Sequence, residues 1–221
     1  MEKIVIDPGH GGSAEVGGSS PNNAVGPTGL LEKNVTLDVA KRIKARAEGV
    51  EVVLTRSNDS NLGLADRAKV ASDLKAPVFI AVHFIGWPTP DVQGTETYVH
   101  ATGSADSLRL AKLVHAKVLA ATGLTDRGLK RATFGVLNPA NHYSGTSACL
   151  VEISFMTPAA EEARLKTAAY LNKLADAVIE AANAYVAAPL LGGAEAAENR
   201  VSDLPLAPGD EDAAETNLNP L

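Results

Sequence analysis

Residues 77–83 read Pro77-Val78-Phe79-Ile80-Ala81-Val82-His83, a continuous apolar run that ends in a histidine. A strand in the centre of a parallel sheet is covered on both faces, so its sequence does not need to alternate between apolar and polar residues. Shorter apolar runs of the same kind occupy residues 4–6 and 149–153. We therefore predict that this run is a central parallel strand, with two further strands at those positions.

Segments with helical periodicity separate the predicted strands. In residues 32–47, apolar side chains recur at every fourth position, which indicates a helix with one buried stripe. The same kind of pattern predicts further helices at 64–75, 106–121 and 159–186, and further strands at 50–54 and 95–99. Strands that alternate with helices indicate an α/β sheet with helices on both faces. In such sheets, functional sites gather at the carboxyl ends of the strands.

The length of the chain, 221 residues, suits one domain or one domain with a tail. All of the predicted strands and helices fall within residues 1–188. Residues 189–221 contain Pro, Gly and many acidic residues, with too little apolar content to build a core. We therefore predict a single folded domain at 1–188 and a flexible acidic tail at 189–221.

Composition excludes several classes of protein. The net charge is −6 and no run of Lys or Arg occurs, so nothing supports an electrostatic surface for nucleic acid or anionic lipid. No stretch of this chain approaches the roughly 20 apolar residues of a membrane span. The single cysteine, Cys149, excludes an intramolecular disulfide and a cysteine-rich metal site. We expect a monomer that binds neither nucleic acid nor a membrane.

Three polar side chains are candidates for a site at one edge of the sheet. His10 and His83 each follow an apolar run, and Glu152 lies inside another. Imidazole nitrogen and carboxylate oxygen suit Zn²⁺, and two histidines with one acid and a bound water describe a hydrolytic zinc site. Simpler interpretations remain open. A histidine at a strand end is often a hydrogen-bonded structural residue, and a buried acid is paired, bound to metal or neutral.

Several short segments, taken together and in order, resemble the zinc-dependent N-acetylmuramoyl-L-alanine amidases of the AmiC/LytC type. Their order along the chain makes the resemblance specific, although each segment alone would not be. The resemblance covers about residues 3–186. The segments are Ile4-Val5-Ile6-Asp7-Pro8-Gly9-His10-Gly11-Gly12, Gly29-Leu30-Leu31-Glu32-Lys33-Asn34-Val35, Val53-Leu54-Thr55-Arg56, Leu64-Ala65-Asp66-Arg67, Gly94-Thr95-Glu96-Thr97 and Leu150-Val151-Glu152.

The resemblance implies a role for each candidate. It places the zinc ligands of the family at His10, Glu32 and His83, and the catalytic glutamate at Glu152. From its residue type and position alone, Glu32 would be interpreted as an acid in the first turn of a helix, where the positive end of the helix dipole favours it. The resemblance also implies a mixed, mainly parallel sheet. The implied substrate is peptidoglycan, cleaved between N-acetylmuramic acid and the L-alanine of the stem peptide.

An enzyme of this kind acts outside the cytoplasm, in the periplasm or cell wall. The first residues, MEKIVIDPGH, lack the apolar segment of a secretory signal peptide. We therefore expect export by a dedicated system, release by lysis, or removal of a signal before residue 1. A phage or injection-system lysin, an exported effector and a mature secreted hydrolase are all compatible with this pattern.

The chain departs from the family pattern at two places. The family usually has Ser-x-His-Ala-Asn around its second histidine, whereas this chain has Ala81-Val82-His83-Phe84-Ile85, followed by Gly86 and Trp87. We expect altered substrate contacts or altered support for His83. Asn138 stands where the family often has an arginine. No extra amphipathic helix that would plug the site is evident.

Side chains expected to contact substrate lie in predicted loops. Trp87 and Tyr143 are aromatic residues suited to stacking on sugar or peptide, although local packing would explain them equally well. His142 and Asn138 are polar neighbours in the second of these loops. Two alternative functions remain open. The chain could be a catalytically weak wall-binding or regulatory homologue, or a zinc peptidase acting within the stem peptide, because the same metal chemistry cuts any amide.

Overall fold

The computed structural model describes residues 1–188 and 200–207. In these ranges, six strands and five α-helices follow one another along the chain. The strands are β1 (Glu2–Pro8), β2 (Val50–Leu54), β3 (Val78–Ile85), β4 (Thr95–His100), β5 (Asp126–Ala132) and β6 (Ser147–Phe155). The helices are α1 (Glu32–Arg46), α2 (Leu64–Leu74), α3 (Ala105–Thr122), α4 (Ala159–Leu165) and α5 (Ala168–Ala187).

The six strands form one sheet in the order β2-β1-β3-β6-β4-β5. The pairs β2/β1, β1/β3, β3/β6 and β4/β5 are parallel, and only β6/β4 is antiparallel among the described strands. This confirms the mixed, mainly parallel sheet. Because β1, β3 and β6 are parallel neighbours, their carboxyl ends meet at one edge. Because β4 runs in the opposite direction, its carboxyl end lies at the other edge.

The two faces of the sheet are covered unequally. On one face, α1, α3 and α5 pack over residues such as Ile80, Val82 and Val151, all fully buried. On the other face, α2 and residues 134–137 pack over Phe79, Ala81 and Leu150. Helices on both faces are therefore confirmed. Residues alternate between the faces along a strand, so His83 and Glu152 point to the α2 face.

Three elements differ from the sequence-based prediction. β3 continues to Ile85, so His83 lies within the strand rather than at its end. The single helix predicted at 159–186 is divided into α4 and α5, with Thr167 as the N-cap of α5. β5 was not predicted because its sequence, DRGLKRA, is polar and only Ala132 is buried, as is common in a strand at the edge of a sheet.

Residues 200–207 fall in the segment predicted to be a flexible tail, but they pack against β5. The backbone N–H of Arg131 donates to Pro205, and the N–H of Ala207 donates to Arg131. Val201 and Ala207 are buried. These few apolar side chains enter the two existing cores rather than building a new one, which composition alone did not reveal. Residues 189–199 and 208–221 lie outside the described residues, and the domain boundary at 188 stays a prediction.

No helix in the described part of the chain combines the length and apolar character needed to cross a membrane.

Candidate metal centre

Three buried side chains from different elements converge at the carboxyl edge of the sheet. His10 follows β1, Glu32 is the first residue of α1, and His83 lies near the end of β3. One potential ligand atom from each residue lies within 4.8 Å of the others. The convergence arises because β1 and β3 are parallel neighbours and because α1 begins beside their carboxyl ends. The group can hold a metal ion.

The carboxylate of Glu32 is the centre of this group. Its Oε1 lies 3.2 Å from His10 Nε2 and 3.2 Å from His83 Nδ1. The backbone N–H of Phe84 donates to the same oxygen at 3.0 Å, and the N–H of Ala24 donates to Oε2 at 2.8 Å. Burial alone would raise the pKa of Glu32, but the charges and hydrogen bonds of His10 and His83 outweigh it and hold that pKa below its ordinary value. The carboxylate is therefore ionised.

His10 is oriented by its second ring nitrogen. Its Nδ1 lies 2.9 Å from Ser20 Oγ and 3.2 Å from the carbonyl oxygen of Ser20. A carbonyl only accepts hydrogen bonds, so this contact favours the tautomer that is protonated at Nδ1. In its neutral form His10 would then offer Nε2, the ring nitrogen nearest Glu32, to a metal ion. A metal-binding histidine is commonly fixed in this way by a hydrogen bond to its other ring nitrogen.

The backbone around His10 is shaped for close approach to His83. His10 itself has a φ of 61°, in the left-handed region that few non-glycine residues adopt. At the preceding position, a Cβ on Gly9 would overlap the ring of His83. The two imidazole rings meet edge to face, with their centroids 5.0 Å apart. Gly9 is therefore required for the second ring to reach the group.

Two buried arginines hold the backbone of this turn. Arg67 is fully buried and donates to the carbonyl oxygens of Pro8 at 2.9 Å and His10 at 2.8 Å. Arg56 donates to the carbonyl oxygens of Pro8 at 2.9 Å and Gly9 at 2.8 Å. Three successive carbonyls are thus bound by two guanidinium groups. These hydrogen bonds stabilise the unusual conformation that presents His10.

The guanidinium group of Arg56 stays charged at neutral pH. Burial, followed by repulsion from Arg67, lowers the pKa of Arg56 to about 10. Arg67 forms a buried ion pair with Asp7, at 2.9 Å between Nη1 and Oδ1. Arg56 also donates to the carbonyl oxygen of Lys33 in the first turn of α1. Arg56 therefore links the His10 turn to the helix that carries Glu32.

Glu152 lies beside the group of three but is not part of it. It is paired in register with His83 across β3 and β6 and is 6% exposed. Because both side chains point to the same face and neighbouring strands lie about 4.8 Å apart, the Glu152 carboxyl group is next to the metal centre. A carboxylate in this position can exchange protons with a molecule bound there.

The residues after His83, which were predicted to alter substrate contacts or the support of His83, lie in two different settings. The side chain of Phe84 is fully buried in the core on the α1 face, and Ile85 is also buried. Phe84 therefore supports Glu32 through its backbone N–H, while its side chain packs in the core. Trp87 is half-buried at the carboxyl edge and packs edge to face on Phe155, with 6.4 Å between ring centroids. Among residues 84–87, Trp87 is the one that is partly exposed, and its contact with substrate stays a prediction.

Two of the other expected substrate contacts, His142 and Tyr143, lie at the opposite edge of the sheet from the group of three. His142 packs on Phe79, with ring centroids 4.9 Å apart, and Phe79 precedes His83 by four residues, or about 13 Å along the strand. Tyr143 and His142 line a cavity of about 150 Å³ with His100, at the opposite edge of the sheet. Asn138 accepts a hydrogen bond from the N–H of Ala140 and caps a short 3₁₀ turn. The positions of His142 and Tyr143 do not support a role at the group of three, and a contact between Asn138 and substrate stays a prediction.

Several residues that build the centre were given no individual role by sequence reasoning. Gly9, Arg56 and Arg67 all fall inside the segments that carry the family resemblance. The available signal was an arginine next to an apolar strand or within an amphipathic helix, and this pattern more often indicates a solvated charge. Ser20 lies in a loop with no distinguishing signal. Only the three-dimensional contacts reveal its hydrogen bond to His10.

Comparisons with known proteins place these observations in a family. A family model described as N-acetylmuramoyl-L-alanine amidase matches residues 4–184. The chain is 38% identical to N-acetylmuramoyl-L-alanine amidase LytC of Bacillus subtilis over 187 residues, which cover 83% of this chain and 35% of LytC. It is 33% identical to the endolysin of Bacillus phage SPP1 over 186 residues, covering 80% of this chain and 63% of the endolysin.

A solved structure agrees with the sequence relatives. The catalytic domain of CwlV, an N-acetylmuramoyl-L-alanine amidase from Bacillus (Paenibacillus) polymyxa var. colistinus, superposes with a TM-score of 0.70 at 33% identity. The match covers 84% of this chain and 98% of that domain. The chain therefore spans nearly the whole CwlV domain, but only about a third of LytC.

Proposed function

This chain belongs to the N-acetylmuramoyl-L-alanine amidase family, and we propose that it is a zinc-dependent hydrolase that cleaves the amide bond between N-acetylmuramic acid and L-alanine in peptidoglycan. The observation that carries the proposal is the position of Glu152. It lies in register beside His83, which with His10 and Glu32 forms a buried group able to hold a metal. A metal site and a separate carboxylate are the two components that this hydrolysis requires.

The donor set fits zinc. Two imidazole nitrogens and one carboxylate oxygen are ligands that Zn²⁺ accepts in hydrolytic sites, where a fourth position is left for water or substrate. Glu32 is ionised and His10 is held in the tautomer that leaves Nε2 available, so neither ligand must be rearranged. When bound, zinc supplies a Lewis acid that polarises the scissile carbonyl and lowers the pKa of water to about 7.

Glu152 is the proposed acid and base. Its carboxylate takes a proton from the attacking water, and the protonated side chain then delivers that proton to the nitrogen of the departing L-alanine. The Glu152 side chain is almost fully buried, which keeps it in one place and limits competing contacts with bulk water. His10, Glu32 and His83 would hold the metal beside this carboxyl group.

The substrate sets the place of action. Peptidoglycan lies outside the cytoplasm, so we propose that the chain acts in the periplasm or cell wall. The endolysin of Bacillus phage SPP1 and LytC of Bacillus subtilis are relatives that fit either a phage or a bacterial setting. We propose that the domain acts as a monomer, since its metal group is formed from one chain.

The test is hydrolysis of purified peptidoglycan with zinc and after chelation. We expect free stem peptides that begin with L-alanine, identified by mass spectrometry, and no release after chelation. Cuts inside the peptide would indicate a zinc peptidase, and binding without release would indicate a wall-binding homologue. Glu180→Gln, which removes an exposed carboxylate paired with Lys117, is a control that should retain full activity.

A further inference from the structure

Three neighbouring strands place acidic and imidazole side chains in one transverse row on the α2 face of the sheet, and β5 adds a lysine beside the end of that row. His83 of β3 is paired in register with Glu152 of β6, and Glu152 is paired with Glu96 of β4. On β5, Lys130 points to the same face, since it is paired with Tyr98, two residues after Glu96. Neighbouring strands lie about 4.8 Å apart, so β5 is about 10 Å from Glu152 across the sheet.

The far end of this row is a cluster of one acid and two bases. Arg127 Nε lies 3.1 Å from Oε2 of Glu96, and Lys130 forms a short ion pair with the same oxygen. Tyr98 donates its hydroxyl to Oε1 of Glu96 at 2.8 Å. Two cations around one carboxylate leave an excess positive charge. The side chain of Glu96 is 4% exposed, whereas Lys130 is 18% and Arg127 is 35% exposed, so the excess charge faces solvent.

Arg127 is held in place on three sides. Its Nε is bound by Glu96, and its guanidinium group lies over the ring of Phe155, 5.0 Å from the centroid. Its aliphatic stem packs against Gly94, where a Cβ would lie 2.5 Å from Cδ. Trp87 also packs against Phe155, edge to face. A cation fixed in this way loses little conformational entropy when it binds a ligand.

We propose that Arg127 and Lys130 form a subsite that binds a carboxylate of the leaving peptide. The proposal rests on the proposed function of Glu152. Because Glu152 protonates the leaving nitrogen, the peptide must extend from the metal centre past Glu152, and Glu96 and β5 lie in that direction. An extended peptide spans about 3.3–3.6 Å per residue, so the subsite is within reach of its first three residues.

The two arginines nearest the metal centre cannot take this role. Arg67 is fully buried and Arg56 is 3% exposed, and their donors are bound to backbone carbonyls of the His10 turn. Among the described residues of the row, Arg127 and Lys130 are the cations that face solvent. A planar guanidinium suits a carboxylate, because it can donate two parallel hydrogen bonds. The structure thus assigns the subsite to an acidic peptide rather than to a neutral sugar.

The experiment compares two synthetic substrates, N-acetylmuramoyl-L-alanyl-D-γ-glutamyl-L-lysine with its carboxyl groups free and the same compound with them amidated. For the natural chain, we expect kcat/KM to be about 10-fold higher for the free acid, the effect of one charge-assisted hydrogen-bonded pair. Arg127→Gln should bring this ratio close to 1. The double variant Arg127→Gln with Lys130→Gln should do the same. The matched control Lys117→Gln removes an exposed lysine on α3 and should leave the ratio unchanged.

Each outcome bears on a defined claim. An equal ratio in the natural chain and in Arg127→Gln overturns the subsite. Failure of the natural chain to cleave either substrate overturns the proposed function instead. If Arg127→Gln cleaves neither compound, calorimetric titration with the free acidic tripeptide decides the question. The subsite requires weaker binding to Arg127→Gln than to Lys117→Gln, and equal binding by the two folded variants contradicts it.

Discussion

Two pairs of histidines lie at opposite edges of the same sheet, and one pair is joined by an acid into a group that can hold a metal ion. His10 and His83 meet around the carboxylate of Glu32. His100 and His142 line a cavity whose other described lining residues include no acid. Burial lowers the pKa of both His100 and His142, so each favours the neutral form. The described lining of this cavity thus offers two imidazoles and no carboxylate, unlike the group around Glu32.

The surroundings of the two pairs also differ in rigidity. The turn that carries His10 is held by Arg56 and Arg67 through three successive carbonyl groups. His100 instead makes a local hydrogen bond, at 2.8 Å, to the hydroxyl of Thr102 in its own turn. The first arrangement fixes a ligand atom in space, whereas the second only closes a turn. Four predictions test how far this difference determines function.

The largest expected effect is the loss of a ligand. His83→Ala leaves one imidazole and one carboxylate, so we expect a large fall in zinc affinity and in peptidoglycan hydrolysis. The fall should exceed the roughly 10- to 100-fold loss that is typical when a residue hydrogen-bonded to a metal ligand is replaced. Zinc content after dialysis, measured by atomic absorption, checks this. His142→Ala is the matched control from the other pair. Stoichiometric zinc in His83→Ala would show that the group of three is not the metal site.

The second effect separates binding from turnover. Glu152→Gln keeps the shape of the side chain but cannot carry the transferred proton, so we expect kcat to fall by about 10²- to 10⁴-fold. Zinc content should stay at one per chain, because Glu152 is outside the group of three. Parallel assays of zinc and of released stem peptide measure both quantities. If the variant keeps normal turnover, the role assigned to Glu152 is wrong.

The third effect weakens the support of His10 without removing a ligand. Arg67→Lys loses the fork that binds Pro8 and His10 together, and we expect zinc affinity to fall by about 10- to 100-fold. Competition with a chromophoric chelator measures the affinity, and the absorption spectrum of the Co²⁺-loaded protein reports the ligand geometry. Arg46→Lys, at a surface ion pair with Asp176, should change neither. An unchanged cobalt spectrum and an unchanged zinc affinity in Arg67→Lys would contradict the role of Arg67 in holding the His10 turn.

The smallest effect concerns the second pair itself. His100→Gln combined with His142→Gln should retain zinc and keep kcat/KM for peptidoglycan within about twofold, as for substitutions away from a site. Steady-state kinetics on soluble muropeptides, with thermal unfolding as a check of folding, measures this. A large loss of kcat/KM in a folded double variant would return His142 to the substrate-binding residues.

Much of the fold followed from short-range patterns in the sequence. The apolar runs at β1, β3 and β6 and the four-residue periodicity of α1 predicted those elements near their observed bounds. β5 was missed because an edge strand need not be apolar. The direction of β4 is a property of the whole sheet, and no local pattern carries it. This single reversal is what separates His100 from His83.

The candidate site was only partly accessible to sequence reasoning. Residue type and position suggested His10, His83 and Glu152, and the family resemblance added Glu32 and the separate roles of ligand and catalytic acid. The contacts that complete the centre depend on backbone atoms, such as the N–H of Phe84 on Glu32 and the carbonyl of Gly9 on Arg56. Every residue has these atoms, so sequence does not mark them. For the same reason, sequence could not show that Phe84 supports Glu32 through its backbone N–H while its bulky side chain packs in the core.

The short segment at 200–207 has a practical consequence for anyone who excises this domain. It lies beyond residue 184, where the family match ends, yet Leu206 bridges to Arg131 and so occupies the outer side of β5. A chain cut after α5 would present the amide and carbonyl groups of β5 as an open template for strands of other molecules. The amidase domain is therefore safest to excise as a unit that ends beyond Ala207, and shorter versions should precipitate at high concentration.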